Sequence, residues 1–215
     1  MTIKNASRYS VPSDEDFESG SNGQVIKNYL HITSPEIIEE IEQRELERTE
    51  LKLMDLYNFN HCFGAEDICD IHDLWLGDIY PMAGKYRTVT MEKNGFPFAA
   101  SERIEKLMKN LEQEYLKKYT PCHFTDIQEL AYVLGIIHVE LILIHPFREG
   151  NGRTARLLVD LMAMQANKQS LNYSYIDRTK NLEGFNRYIM AIHAGHAGNY
   201  KPIQEIFITL LQQSV

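Results

Sequence analysis

Apolar residues recur at helical spacing through most of the chain. Ile68, Ile71, His72, Trp75, Leu76 and Ile79 form one stripe, and Ile104, Leu107, Met108, Leu111 and Tyr115 another. The second ends at Lys117-Lys118, where cations complement a helix C-terminus. Leu182, Phe185, Ile189 and Ile192 predict a further helix, and Ile203, Ile206, Phe207, Leu210 and Leu211 the last. Two stretches are apolar on every side: one runs from Leu130 to about His145, the other from Thr154 to Gln165. Helices of that kind belong in the centre, so two core helices are expected to meet at the loop containing Pro146 and Gly150.

Polar punctuation sets the boundaries. Thr33-Ser34-Pro35-Glu36 offers a capping Thr, an early Pro and a Glu three residues on, opening a charged, solvated helix to about Tyr57. Thr125 with Gln128 resembles a capping box for the first core helix. Tyr86 to Met91 reads as a strand, Asn94-Gly95 as a tight turn and Phe96-Pro97-Phe98 as the return, a hairpin with Pro on its edge. No period of about 20 to 50 residues recurs. The expected architecture is all-α with one small hairpin: an irregular arm over residues 1–27 and a single domain over 28–215.

Composition narrows the class. With 215 residues, 44% of them hydrophobic, the chain can bury a sizeable core. A net charge of −8 argues against broad nucleic-acid binding, so any positive site must be local. Cys62, Cys69 and Cys122 form no C-x-x-C pair, which fits a reducing compartment; Cys62 and Cys69 are expected as two buried residues on one helical face. The richest apolar stretch, Tyr132 to Ile144, is broken by Gly135, His138 and Glu140, and the N-terminus lacks a signal-like apolar core. The expectation is a cytoplasmic protein with no membrane or nucleic-acid partner, later export into another cell being left open.

The chemistry concentrates between the two core helices, in His145-Pro146-Phe147-Arg148-Glu149-Gly150-Asn151-Gly152-Arg153-Thr154-Ala155-Arg156. Gly150 and Gly152 let backbone N–H groups close on an anion where the next helix presents its unpaired donors and positive dipole, and phosphate is the natural guest. Arg153 and Arg156, three apart, offer guanidinium forks for phosphate oxygens, and Asn151 a further side-chain donor. Glu149 is placed to hold a hard cation such as Mg²⁺ beside substrate phosphates. His145, with an ordinary pKa of about 6.5, is the candidate general base, and Phe147 an anchor for the loop. With residue usage of roughly 5–7%, a chance match to eight fixed positions falls below about one in a million per chain.

This loop resembles the Fic signature H-x-F-x-[D/E]-G-N-G-R-x-x-R at every fixed position. Gly77 to Val89 resembles the family's lead into its flap hairpin, and Glu18 to Gly23 its N-terminal lead. The resemblance implies a Fic-type helical bundle with a hairpin flap beside the active site. It implies transfer of AMP from ATP to a hydroxyl side chain of a target protein, with pyrophosphate released. His145 would be the base, Glu149 the Mg²⁺ ligand, Gly150 to Gly152 the anion hole, and Arg153 and Arg156 the grip on the outer phosphates. The target segment would align along the flap by strand addition, near Thr88, Val89, Thr90, Met91 and Phe96.

Many Fic proteins are restrained by a helix carrying [S/T]-x-x-x-E-[G/N], whose Glu pairs with the arginine that is Arg156 here. Thr179 to Gly184 fits that string, but Leu182 and Phe185 look like ordinary core positions. The expectation is therefore a toxin-like or effector protein restrained by a separate antitoxin partner, with Thr179 to Gly184 as the alternative inhibitory element. Two further readings stay open: transfer of another phosphate-containing group, and a non-catalytic interaction module. His193-Ala-Gly-His196 lacks the carboxylate of a metal-hydrolase motif and reads as a glycine-capped helix end.

Overall fold

The computed structural model describes residues 16–93 and 95–214. Helix α1 (Pro35–Leu56) is capped by Ser34, whose hydroxyl accepts from Ile37 N at 3.3 Å. The cap falls one residue after the expected Thr33 because Pro35 takes the first helical position and keeps the preceding residue extended. Helix α2 (Ala65–Leu76) buries Ile68, Ile71, His72, Trp75 and Leu76 of the expected stripe, and its last member, Ile79, is buried in the turn after the helix ends. Cys62 precedes α2 and is exposed while Cys69 is half-buried, so the two do not form the expected buried pair.

The hairpin is shorter than its apolar pattern. Strands β1 (Glu92–Lys93) and β2 (Phe96–Pro97) pair antiparallel, Glu92 opposite Pro97 and Lys93 opposite Phe96, and Phe98 N extends the ladder to Met91 O at 3.1 Å. Tyr86 to Met91 is not a strand: Arg87 N donates to Pro146 O at 2.8 Å, committing that backbone to the motif loop. Asn94, half of the expected turn, lies outside the described residues; Gly95 has φ +77°, which such a turn requires.

Helix α3 (Ile104–Leu111) passes through a π turn (Glu112–Leu116) into the short α4 (Lys117–Tyr119). Asp126, not Thr125, caps α5 (Ile127–Ile144): its carboxylate accepts from Gln128 N and Glu129 N at 2.8 and 2.9 Å, and its charge favours that end. Helices α6 (Asn151–Gln165), α7 (Leu182–His196) and α8 (Lys201–Gln213) follow, a 3-10 turn (Tyr173–Ile176) preceding α7. Long and apolar enough to cross a membrane, α5 is instead 67% buried, with α3, α6, α7 and α8 packed around it.

Helix α7 keeps Ile192 of its expected stripe buried and Phe185 half-buried against the core, but turns Leu182 and Ile189 outward. Gly184, Tyr188, Ala191 and Gly195 are buried as well. The cause is close approach: a Cβ on Gly195 would lie 2.4 Å from Val139 of α5, so small residues face the core. A second core cluster joins Val25, Ile38, Trp75, Leu76, Ile79, Tyr80 and Ala83. Phe17 bridges Ile26, fastening the described part of the arm through Val25 onto α1 and α2; residues 1–15 lie outside the description.

Candidate active site

His145 ends α5 in a left-handed conformation (φ +51°), its N–H still bonded to Leu141 O at 2.9 Å. The chain therefore leaves the helix abruptly, and Asn151 closes the resulting loop. Its side chain accepts from Phe147 N and donates to Phe147 O, both at 2.8 Å, with the residue 1% exposed. The side chain expected to reach phosphate is thus consumed as a loop clamp, and what Asn151 presents is its backbone N–H. The first bond at this end of α6 is Thr154 N to Gly150 O at 2.9 Å, so the N–H groups of Asn151, Gly152 and Arg153 stand ahead of the helical ladder. Gly150 has φ +80°, and a Cβ there would lie 2.8 Å from the Trp75 ring; at Gly152 a Cβ would meet nothing within 4 Å. One glycine is packed shut and the other faces open space, as an anion cradle needs.

Two buried histidines flank this loop with opposite tautomers. His145 Nδ1 lies 3.1 Å from Ile142 O, and a carbonyl only accepts, so Nδ1 carries the proton and Nε2 the basic lone pair. Phe98 stacks on its ring at 3.7 Å, and burial pushes its pKa down to about 3, so the imidazole is neutral. His72 Nδ1 accepts from Gly84 N at 2.9 Å, leaving Nε2–H to donate to Glu149 O at 3.0 Å. His72 also stacks on Phe147 at 3.9 Å, and burial pulls its pKa to about 4. The helical stripe marks His72 only as a core position; its hold on the loop comes from a contact 77 residues away.

Arg87 is likewise invisible to periodicity. Buried, it donates through Nε to His145 O at 2.7 Å, through Nη2 to Ile144 O at 3.3 Å, and through its guanidinium to the carbonyls of Val89 and Ala99. One cation thus caps the C-terminus of α5 and ties to it the segments that lead into β1 and out of β2.

The charged residues do not converge as the sequence suggests. Glu149 Oε1 accepts from Gly150 N at 2.9 Å and stands 3.6 Å from Arg153 Nη2. Arg153 is not held for phosphate alone: its Nη2 lies 2.7 Å from Glu42 Oε2, and its guanidinium stacks on Trp75. Arg156 turns the other way, over the Tyr173 ring at 5.0 Å. Behind it, Tyr173 donates to Asp160 at 3.0 Å; burial pushes the Asp160 carboxyl up to about 7 against the opposing bonds from Leu171 N and Tyr173. Among the described residues no group of three or more His, Cys, Asp or Glu side chains stands ready for a metal. Glu149 supplies one carboxylate, which suits Mg²⁺ completed by phosphate oxygens and water rather than a resident all-protein site.

On the flap, Thr88 and Thr90 are exposed and Val89 is half-buried. Met91 is 1% exposed, so its side chain is buried and is not presented to a target. Phe96 stacks on His193 at 4.6 Å and meets His196 edge-on, anchoring the flap to α7. Ala99 N donates to Leu143 O at 3.3 Å, which fastens the segment after β2 to α5, while Thr90, Glu92 and Lys93 are exposed. Glu183 of the candidate inhibitory string pairs with Arg187 at 2.8 Å on the surface of α7, not with Arg156.

The family profile described as Fic/DOC matches residues 52–163, just over half of the chain. This chain belongs to the Fic/DOC family. The probable protein adenylyltransferase Fic of Escherichia coli K12 is 27% identical over 195 residues, covering 88% of this chain and 89% of that protein. Protein adenylyltransferase fic-1 of Caenorhabditis briggsae is 28% identical over 144 residues, 66% of this chain, which spans only 26% of that Fic protein. Among solved structures, the N-terminal Fic domain of a Bartonella quintana VirB-translocated effector, with bound ADP, superimposes with a TM-score of 0.74 at 24% identity. That match covers 91% of this chain and 94% of the effector domain, and establishes a Fic fold of helices with a two-strand flap.

Proposed function

We propose that this protein is an adenylyltransferase that moves AMP from ATP to a hydroxyl side chain of a target protein. The observation that carries the reading is the junction of α5 and α6, where a neutral imidazole with its basic nitrogen at Nε2 adjoins three unladdered N–H groups at a helix N-terminus. The triphosphate would lie with its α-phosphate toward the N–H groups of Asn151, Gly152 and Arg153 and its outer phosphates beside Arg153, Arg156 joining them by swinging off the Tyr173 ring. The target hydroxyl attacks the α-phosphorus and the bond to the β-phosphate oxygen breaks. His145 Nε2 takes the hydroxyl proton, and pyrophosphate leaves. Glu149 would hold Mg²⁺, which neutralises phosphate charge when bound.

Catalysis here is mostly placement and charge matching, so the base is separable from nucleotide binding. His145→Ala is expected to abolish transfer while nucleotide affinity changes less than about tenfold. The test is incubation with α-³²P-labelled ATP, Mg²⁺ and a cell lysate, wild type beside His145→Ala, with mass analysis of the labelled band. An adenylyl mass on a Ser, Thr or Tyr of the wild-type product supports the reading; equal labelling by both proteins contradicts it.

We further propose that restraint comes from a separate antitoxin-type partner in the cytoplasm. Engagement of Glu183 by Arg187, away from Arg156, supports this over restraint by the chain's own Thr179 to Gly184 string. Residues 28–215 act as the Fic domain with its flanking helices.

A further inference from the structure

Helix α1 contributes a buried carboxylate that the motif does not explain. Glu42 lies midway along α1, ahead of the residues that the family profile matches, and is 3% exposed although Glu36, Glu39, Glu40 and Glu47 of the same helix are exposed. Its Oε1 accepts from the Tyr80 hydroxyl at 2.6 Å, and its Oε2 stands 2.7 Å from Arg153 Nη2. Its main-chain carbonyl accepts from the Trp75 indole at 2.9 Å, and that same indole carries the Arg153 guanidinium on its face, 4.4 Å from the ring centroid. Glu42 of α1 and Trp75 of α2 thus meet one guanidinium of the motif, and Tyr80 from the segment after α2 holds Glu42.

We propose that Glu42 is a positioning residue, holding Arg153 so that its remaining donors meet the phosphate chain at the head of α6. This inference rests on the adenylyl-transfer reading. The alternative, a plug that phosphate displaces, is disfavoured by burial: if the arginine left, Glu42 would keep a buried charge with one hydroxyl as its side-chain partner. The pair therefore persists when nucleotide binds, and the carboxylate orients the arginine without competing for it. Charge developing on the leaving pyrophosphate is stabilised only by donors already in place, so loss of the anchor lowers kcat more than it raises KM for ATP.

Glu42→Gln keeps shape and the acceptor for Tyr80 but removes the charge facing Arg153; Tyr80→Phe leaves the charge and loosens its hold, and serves if the first variant folds poorly. The expected loss in kcat is about tenfold for Glu42→Gln and smaller for Tyr80→Phe, with no further loss when Glu42→Gln is added to Arg153→Lys. Unchanged or higher kcat, or an equal proportional loss in the Arg153→Lys background, overturns the proposal. Solvent exchange of the Arg153 Nη2–H protons, the group that faces Glu42, followed by NMR, reads the contact without turnover. It should be slow in the wild type and fast in Glu42→Gln, and equal rates overturn the brace. A wild type without transfer whose Arg153 signal still responds would overturn the adenylyl-transfer reading, and the catalytic role of the brace with it, while leaving the contact demonstrated.

Discussion

Two glycines two residues apart illustrate how differently the same residue type is constrained. Gly150 sits at φ +80° with Trp75, Leu76 and His72 closing on its Cβ position at 2.8, 3.1 and 3.2 Å, whereas nothing lies within 4 Å at Gly152. Gly150→Ala therefore incurs both left-handed strain and overpacking and should destabilise by about 2–4 kcal/mol. Gly152→Ala should stay within about 0.5 kcal/mol, since Ala also favours the helix. Chemical denaturation of both variants checks the contrast, and equal losses would contradict the packing. The loop's residue types were fully legible from the chain, because the motif's spacing is fixed and local. Their divisions of labour were not: Asn151 is spent on Phe147, and Arg153 is shared with Glu42, through contacts that sequence proximity does not reveal.

At the scale of elements, the flap is held down where it matters. Phe98 covers His145, Phe96 leans on His193, and Arg87 ties the hairpin's base to the end of α5. The depressed pKa of His145 comes first from burial, so removing part of the cover should raise it. In an NMR titration the wild-type imidazole should stay neutral above about pH 5, while Phe98→Ala should move its midpoint toward about 6.5. An unchanged midpoint would show that Phe98 does not govern burial of the base. Helix existence followed periodicity well because burial of one face dictates it. Small-residue faces such as that of α7 do not announce themselves, since Gly195 packs by what it lacks. The hairpin's extent likewise depends on Arg87 N choosing Pro146 O over a neighbouring strand, a long-range competition.

For the whole molecule, buried ionisable groups set the response to acid. His72, His138 and His145 have folded pKa values of about 4, 3 and 3, each pulled down by burial. The unfolded chain protonates all three as pH falls through about 6.5, the folded chain none until about 4, so they make stability fall with falling pH in that window. Asp160 opposes them: pushed up to about 7 by burial, it keeps a proton that the unfolded chain has released above about 4, and Glu50 and Glu140, raised by burial, act in the same sense. Three histidines outweigh these acids by about one to two protons, so unfolding free energy should rise by about 1.4–2.7 kcal/mol per unit between about pH 5 and 6.5. Denaturant titrations across that range decide it, and a flat or falling profile would contradict the burial of these rings. The general plan, a helical bundle around two apolar helices joined by a reactive loop, was readable from hydrophobic pattern alone. The part α1 plays was not, because a helix so rich in charge reads as solvated although Glu42 is buried.

The central claim is that the head of α6 receives the phosphates of ATP. Backbone amide shifts of ¹⁵N-labelled His145→Ala protein, recorded while a non-hydrolysable ATP analogue and Mg²⁺ are titrated in, test it most directly. The largest changes should fall on the N–H groups of Asn151, Gly152 and Arg153, saturating together with one affinity. Saturable changes confined to another part of the bundle, with those three amides unmoved, would contradict it.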